Sequence, residues 1–585
     1  MNRREFLKLL SKASVAASLA GCSNLRTATD SNLYQLRPYG QARLLHFTDT
    51  HAQLKPVYFR EPNVNLGLGI AKGKFPHLVG QNLLNALGPL NARDTHALTY
   101  LDFAEAAEKF GRVGGFAHLK TLIDQLRGET GEALLLDGGD TWQGSGTALW
   151  TQGQDMVEAC NLLGVDVMTG HWEFTYDEAR VLTNAAAFNG DFVAQNIRAT
   201  EDAMFEGVPV FDEDSGHIFP PYSIKSLKGR RIAIIGQAFP YTPIANPSRF
   251  IPNWTFGIQE QALAELLEQI KETEKPDAIV LLSHNGMDVD LKLASRVTGI
   301  DFILGGHTHD GVPVPIEVKN SGGVTVVTNA GSNGKFLGVL DIEFGQQGMS
   351  GYRYRLMPVF SNLLAADKQM SDHIQAVQAP YLEKLQEPLA VTDSLLYRRG
   401  NFNGTFDQVI CDALREQLDA AISLSPGFRW GTSILPGETI TMEQLLDQTC
   451  MTYPETYVRE MGGDELKTIL ESVADNLFHE DPYLQQGGDM VRTGGVNYTL
   501  DPTADMGKRI SDLSLHDGTA IKASATYKVA GWATVGSKSA GEPVWDVVGS
   551  YLKDRKEIRL ERLETPNLVG VKENAGIEQY RGKLS

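Results

Sequence analysis

From about Ala42 to Phe344 the chain alternates short apolar runs with longer stretches whose apolar positions recur every three to four residues. The short runs are Arg43–Phe47, Ala133–Leu136, Val165–Met168, Ile232–Ile235, Ala278–Leu282 and Asp301–Leu304. Their length and apolar continuity predict buried strands. The longer patterns at Val113–Leu126, Asp155–Leu163 and Gln259–Glu272 predict amphipathic helices. Alternation of the two kinds predicts a layered α/β domain. Val324–Thr328 and Phe336–Phe344 read as its closing strands. A polar helical pattern at Asp367–Leu385 reads as a connector. Beyond Pro388, apolar helices at Phe406–Leu418 and Asp464–Ser472 predict a second α/β or α+β domain.

The polar residues fall at the ends of the predicted strands. Thr48-Asp49-Thr50-His51 follows the first and Asp137-Gly138-Gly139-Asp140 the second. Gly170-His171-Trp172-Glu173 follows the third, and Ser283-His284-Asn285-Gly286 and Gly305-Gly306-His307-Thr308-His309 follow later ones. Open α/β sheets bind ligands beyond the carboxyl ends of their strands. Histidine and carboxylate are the side chains a hard or borderline dication needs. Taken singly, each has a plainer reading. An Asp-x-His is more often a turn with a surface histidine, Asp137 suits loop support, and His284 suits a satisfied core position. Five such loops in this order predict a metal pocket. Asp49 and His51 reach one ion only if the chain leaves the regular alternation of a strand.

A chain of 585 residues exceeds one core and implies two or three domains. Its net charge of -19 disfavours nucleic acid as a partner, because phosphates are repelled. No internal apolar run is long enough to span a bilayer. Arg3-Arg4-Glu5-Phe6-Leu7-Lys8, with the small apolar stretch Ala13 to Ala20, resembles a twin-arginine export signal. It implies a periplasmic protein exported already folded, with any metal loaded beforehand. Leu19-Ala20-Gly21-Cys22 resembles a lipobox, which implies a lipid anchor on Cys22; a coincidental cysteine near a cleavage site is the alternative. Ser23 to Leu36 reads as a polar tether. Cys160, Cys411 and Cys450 are widely spaced and predict neither a disulfide framework nor a thiolate metal site.

The ordered motifs D-x-H, G-D, a G-N-H-E-like loop, a lone His and G-H-x-H resemble the calcineurin-like metallophosphoesterases, and among them the 5'-nucleotidase family. The resemblance implies a sandwich of two sheets flanked by helices, followed by a smaller 5'-nucleotidase-type α/β domain that binds substrate. The divisions expected are 1–30 for the signal, 31–360 for the dimetal domain, 361–387 for the connector and 388–585 for the second domain. Carried over residue by residue, it implies Asp49, His51 and His309 on one metal. His171, His284 and His307 hold the other, with Asp140 between them.

One loop departs from that family. Gly170-His171-Trp172-Glu173 stands where Gly-Asn-His-Glu is usual. His171 still offers an imidazole nitrogen. Trp172 cannot protonate a leaving group, and a basic alkoxide leaves slowly without that help. A sulfur leaving group needs none, since even an ordinary thiol ionises at about 8.5. The variant resembles the Sox thiosulfohydrolases. The segments Leu45–Pro56, Thr169–Tyr176, Gly236–Pro247, Pro426–Gly431 and Gly487–Arg492 are similar to that family too. The resemblance implies two manganese ions (zinc and iron suit the same ligands), hydroxide attack on a cysteine-S-thiosulfonate carried by the SoxYZ protein, and release of sulfate. The other readings are a periplasmic 5'-nucleotidase or general phosphoesterase and, from a different class, a non-catalytic exported lipoprotein.

A sulfonate calls for cationic clamps. Arg429 is the first candidate, at the place where nucleotidases present a substrate arginine, and Asn403 and Arg492 follow. Glu173 is expected to orient His171 or its loop. The stretch Lys55 to Phe110 is long for a strand–helix connection. It is read as a wall for a substrate channel, with Tyr58, Asn63 and Asn65 at the mouth, or as a plain surface excursion.

Overall fold

The protein is described by a computed structural model covering residues 33–346, 348–536 and 538–571. The export signal and Cys22 lie outside the described residues. No helix among those described is long and apolar enough to cross a membrane.

Two six-stranded sheets build the first domain. One runs, in spatial order, Gly348–Pro358, Phe336–Gly345, Ala42–Phe47, Leu134–Asp137, Val167–Met168 and Asp191–Phe192. The other runs Ile316–Asn320, Gly323–Asn329, Phe302–Gly305, Ala278–Ser283, Arg230–Gln237 and Tyr222–Leu227. Alternate residues of the facing strands, among them Leu44, Leu136, Ile234, Val280, Leu282 and Leu304, interlock between the sheets. The opposite faces carry helices. Leu119, Leu122 and Leu126 of Phe116–Thr130 cover the first sheet, and Leu263, Leu267 and Ile270 of Glu260–Thr273 cover the second. Strands buried on both faces read as continuous apolar runs rather than alternating ones, which is why they stand out in the sequence.

The registers bring the strand ends level. Phe47 pairs with Asp137 and Asp137 with Met168. In the other sheet Gln237 pairs with Ser283, and Gly305 with both Ser283 and Asn329. The five motif loops therefore leave one edge of the sandwich together.

Several readings differ from the observed elements, and the edge strands Tyr222–Leu227 and Ile316–Asn320 were not read at all. Of Val165–Met168, only Val167–Met168 joins the ladder, because the Val165 N–H closes the preceding helix on the Cys160 carbonyl at 3.1 Å. The long strand Gly348–Pro358 was not legible, since its half-exposed faces mix tyrosine and arginine at the sheet edge. The tether does not extend to Leu36. Leu33 and Tyr34 are buried, and the Tyr34 hydroxyl donates to the Pro358 carbonyl at 2.9 Å.

The connector is helical at Lys368–Gln378 and Leu382–Leu385, with a 3-10 turn between. Asp367 caps it by accepting from the Met370 N–H at 2.8 Å. The second domain holds the sheets Thr439–Thr441/Pro388–Thr392/Glu557–Ile558, Thr456–Gly462/Thr526–Trp532/Ile422–Ser425/Arg492–Gly494 and Ile510–Leu515/Val496–Leu500/Asn567–Leu568. Its main helices are Thr405–Gln417, Met442–Thr449, Gly463–Phe478 and Val544–Arg555. Cys160, Cys411 and Cys450 are buried and unpaired.

Candidate metal centre

Seven side chains from the five loops meet in two groups that share Asp140. Asp49, His51, Asp140 and His309 form one, and Asp140, His171, His284 and His307 the other. Within each, the donor atoms lie within 4.8 Å of one another. That span suits ligands held at about 2.0–2.2 Å from a common ion. All seven residues are buried.

The backbone leaves the strand alternation to achieve this. Asp49, His51, Asp140, His307 and His309 all have left-handed φ, between 46° and 69°. Each such non-glycine residue costs on the order of 1 kcal/mol or more, and strain of this kind gathers at functional sites. Backbone bonds hold the loops in place. The Asp49 N–H donates to Gly139 O at 2.8 Å, and the His51 N–H to Asp140 O at 2.8 Å. Asp137 supports its loop, accepting from the Gly139 N–H at 3.0 Å and the Thr141 hydroxyl at 2.9 Å.

The donor chemistry fits a pair of cations. His284 Nδ1 lies 2.6 Å from the Gly138 carbonyl and must donate to it. That fixes the tautomer and leaves Nε2 as an electron pair facing Asp140 Oδ2 at 3.1 Å. Metal-ligating histidines are oriented by such a backbone bond. His51 Nε2 and His309 Nε2 face each other at 3.1 Å, and His309 Nε2 faces Asp49 Oδ1 at 3.1 Å. Electron-rich atoms this close need a proton or a cation between them. In the cation-free chain the carboxylates answer through His284. Burial lowers its pKa, but Asp140 and Asp49 outweigh that and hold it at about 10. Burial instead dominates at His51, pushing it down to about 3. Burial would raise Asp140, yet the imidazoles of His171 and His284 hold it well below the usual carboxylate range.

Glu173 does not face the ions' place. Its carboxylate accepts from the backbone N–H groups of His171 (2.8 Å), Asp140 (3.2 Å), Thr141 (2.7 Å) and Trp142 (3.1 Å). It clamps the second and third loops together and so positions two ligands. Glu173→Gln is expected to cost about 2–3 kcal/mol, because an amide NH2 then meets backbone donors. The checks are a lower melting temperature and weaker metal retention in dialysis. Wild-type values for both would remove this role.

Trp172 lies over the third loop, 6% exposed. Its N–H on the main chain donates to Asp140 Oδ1 at 2.7 Å. Its ring packs edge-on against Trp430 at 5.3 Å and Phe428 at 5.6 Å, both from the second domain. Trp430 in turn lies 5.4 Å from the His51 ring. Phe239 stacks on His307 at 4.1 Å. Beside His307 opens a cavity lined by Asn65, His77, Asp288, Arg399 and Arg429 among others.

Arg429 reaches this cavity and is braced by Asp489 Oδ1 (3.2 Å), Gly488 O (2.7 Å) and His307 O (3.2 Å). Arg492 and Asn403 do not reach it. Arg492 is fully buried and spends its charge on Asp407 and Asp489, at 3.2 and 2.9 Å. Asn403 donates to Glu564 O at 2.6 Å inside the second domain. Both side chains, expected as substrate clamps, are instead buried within the second domain. Of the three expected mouth residues only Asn65 lines the cavity; Tyr58 pairs with Ser433, and Asn63 is buried. Sequence reasoning missed Arg399. It is 6% exposed, donates to Thr308 O at 2.9 Å, and leaves Nη1 without a partner. The tandem Arg398-Arg399 before Gly400 was the available signal. Arg398 takes the buried half of that pair, bonded to Asp407.

Residues 42–311 match the calcineurin-like phosphoesterase family, and residues 390–546 match the 5'-nucleotidase C-terminal domain. Among solved structures, the sulfate thiohydrolase SoxB of Thermus thermophilus is 35% identical, with a TM-score of 0.86 over 92% of this chain and 98% of that one. A 5'-nucleotidase precursor, also from Thermus thermophilus, shares the fold at 21% identity and a TM-score of 0.71, over 91% of this chain and 99% of that one. The trifunctional nucleotide phosphoesterase YfkN of Bacillus subtilis is 27% identical over 504 residues, 78% of this chain but only 32% of that longer protein. The chain belongs to the 5'-nucleotidase/calcineurin-like phosphoesterase superfamily, a family of dimetal phosphoesterase-type hydrolases.

Proposed function

We propose that this chain is a thiosulfohydrolase, cleaving the thiosulfonate borne on a cysteine of a SoxYZ-type carrier and releasing sulfate. The observation that carries the reading is Trp172, an indole packed beside the metal loops where a phosphoesterase of this family needs an acid. The 35% identity to the Thermus thermophilus sulfate thiohydrolase supports it. Asp49, His51, Asp140, His171, His284, His307 and His309 would hold the cations. When bound, a pair of such ions supplies hydroxide at neutral pH and offsets the charge that gathers on the attacked group.

The protein's own groups do the rest. Arg429 and the unpaired Nη1 of Arg399 offer donors to the sulfonate oxygens. Attack forms a sulfur–oxygen bond and breaks the sulfur–sulfur bond. The electron pair departs on the outer sulfur as a persulfide anion, so no proton is required of Trp172. The aromatic wall of Trp172, Phe428 and Trp430 keeps bulk water from that side. Export by the twin-arginine route into the periplasm, a lipid anchor on Cys22 and manganese as the resident metal belong to the same proposal.

The test is incubation of the manganese-loaded protein with thiosulfonate-charged carrier, reading sulfate. Stoichiometric sulfate is expected. No sulfate, with brisk release of phosphate from nucleotides, would instead establish the nucleotidase reading that the YfkN similarity favours.

A further inference from the structure

We propose that His77 is a positioning residue, a doubly protonated imidazole that buckles the segment 57–77 as a strap across both domains and fixes the cavity wall beside the metal site. The strap's path is written in its contacts. It leaves the first domain through Val57, whose main chain exchanges two bonds with Val113 at 2.9 and 2.8 Å. Glu61 then meets the buried Lys335 at 2.8 Å. On both sides of that ion pair the strap bonds to the second domain. Tyr58 O accepts from the Ser433 N–H at 2.7 Å, the Arg60 N–H donates to the Ser433 hydroxyl at 3.1 Å, and the Leu66 N–H donates to Asn401 Oδ1 at 2.7 Å. Val64, 5% exposed, packs into that domain's core with Phe402, Ile422 and Met490. Finally it returns to the first domain at His77, against Asp288 of the helix Met287–Arg296.

Hydrogen bonding dictates the protonation of the buckle. Asn65 Nδ2 lies 2.9 Å from Asp310 Oδ1 and 3.4 Å from Pro76 O, both acceptors. The amide oxygen must therefore point the other way, at His77 Nδ1, 2.9 Å distant. Nδ1 thus carries a hydrogen. Nε2 lies 3.0 and 3.1 Å from the two Asp288 oxygens and carries the other. The groups facing this imidazolium are Asp288 and Asp310, while Arg429 from the second domain faces Asp288. Burial alone would lower the His77 pKa, but the Asp288 carboxylate outweighs it and holds the ring above its ordinary value. A β-carbon on Gly67 would come within 2.7 Å of the ring, so glycine lets the strap lie flat on it. Asp288–His77–Asn65–Asp310 is thereby one continuous chain of bonds along the cavity.

Breaking a largely buried pair of this kind leaves an uncompensated charge, and the strap should loosen first where it is bonded least. In the full chain, His77→Ala is expected to speed amide hydrogen exchange across residues 60–78 by ~10-fold or more, with the metal-ligand loops unchanged. Nitrogen NMR of 15N-histidine protein loaded with diamagnetic zinc, which takes the His284 ring out of the comparison, should show at pH 7 a ring with both nitrogens protonated that is lost in the variant. Should His77→Ala fail to fold, Asp288→Asn is read in the same way. Unchanged exchange, or a neutral His77 ring, overturns the proposal. A kinetic arm rests on the thiosulfohydrolase reading: KM for charged carrier should rise ~10-fold, with a smaller fall in kcat. An unchanged KM also overturns the positioning role. If wild type releases no sulfate, it is the functional reading that fails, and the exchange and NMR arms still decide the strap.

Discussion

Asp140→Asn is expected to lower turnover at least ~10³-fold and to leave the protein unable to retain two ions per chain. Asp140 is the one residue common to both donor groups. Its Oδ2 faces His284 Nε2 at 3.1 Å and His171 Nδ1 at 3.3 Å, with His51 Nε2 at 3.8 Å on the other side. Asparagine matches its shape and tolerates its left-handed φ of 57°. The substitution therefore removes the charge and little else. Two cations close together repel, and the anion between them is what makes double occupancy favourable. Losing an interaction worth several kcal/mol at that point is a loss of three or more powers of ten in rate. Elemental analysis after gel filtration checks the stoichiometry. Thermal melting checks the fold: wild type should gain stability with added manganese, by about 2.7 kcal/mol at a hundredfold excess over Kd, while the variant gains much less. A variant that keeps both ions and turns over within tenfold of wild type would remove Asp140 from the shared position.

The seven converging groups were legible because each follows an apolar strand, and the carboxyl ends of such strands share an edge. The backbone strain at Asp49 and His51 was legible as a condition: two residues two apart after one strand reach one ion only by leaving the pleat, and their φ values of 53° and 46° show that they do. The cavity was much less legible. Its walls come from the insertion, the first domain and the second domain at once, so no local pattern announces it. Arg492 looked like a clamp and is an internal brace, because a charged residue in a glycine-rich stretch has the same sequence signature whether a domain covers it or not. His77 sits in a polar segment with no periodicity, and its significance depends on Asp288, far away in the chain. Long-range pairings of this kind carry no sequence signal.

Trp172→His is expected to raise hydrolysis of nucleoside monophosphates by ~10-fold or more, while sulfate release from charged carrier stays level or falls. The basicity of the leaving group sets the difference. A ribosyl alkoxide is strongly basic, and a positioned imidazole contributes about 10²–10⁴-fold to its departure. A persulfide anion gains nothing from that proton. The full increase is not expected, because the indole also holds the loop by its edge-on contacts to Trp430 and Phe428. A smaller ring leaves a void costing on the order of 2–3 kcal/mol, and His171 next to it loosens accordingly. Comparison of two phosphate esters separates these effects. With p-nitrophenyl phosphate the leaving group is already stable as an anion, so only the loosening is read and activity should not rise. With a nucleoside monophosphate the new acid and the loosening are read together. Equal changes on both esters would mean that position 172 does not govern leaving-group protonation, and the chemical reason for preferring sulfur over phosphate esters would be gone.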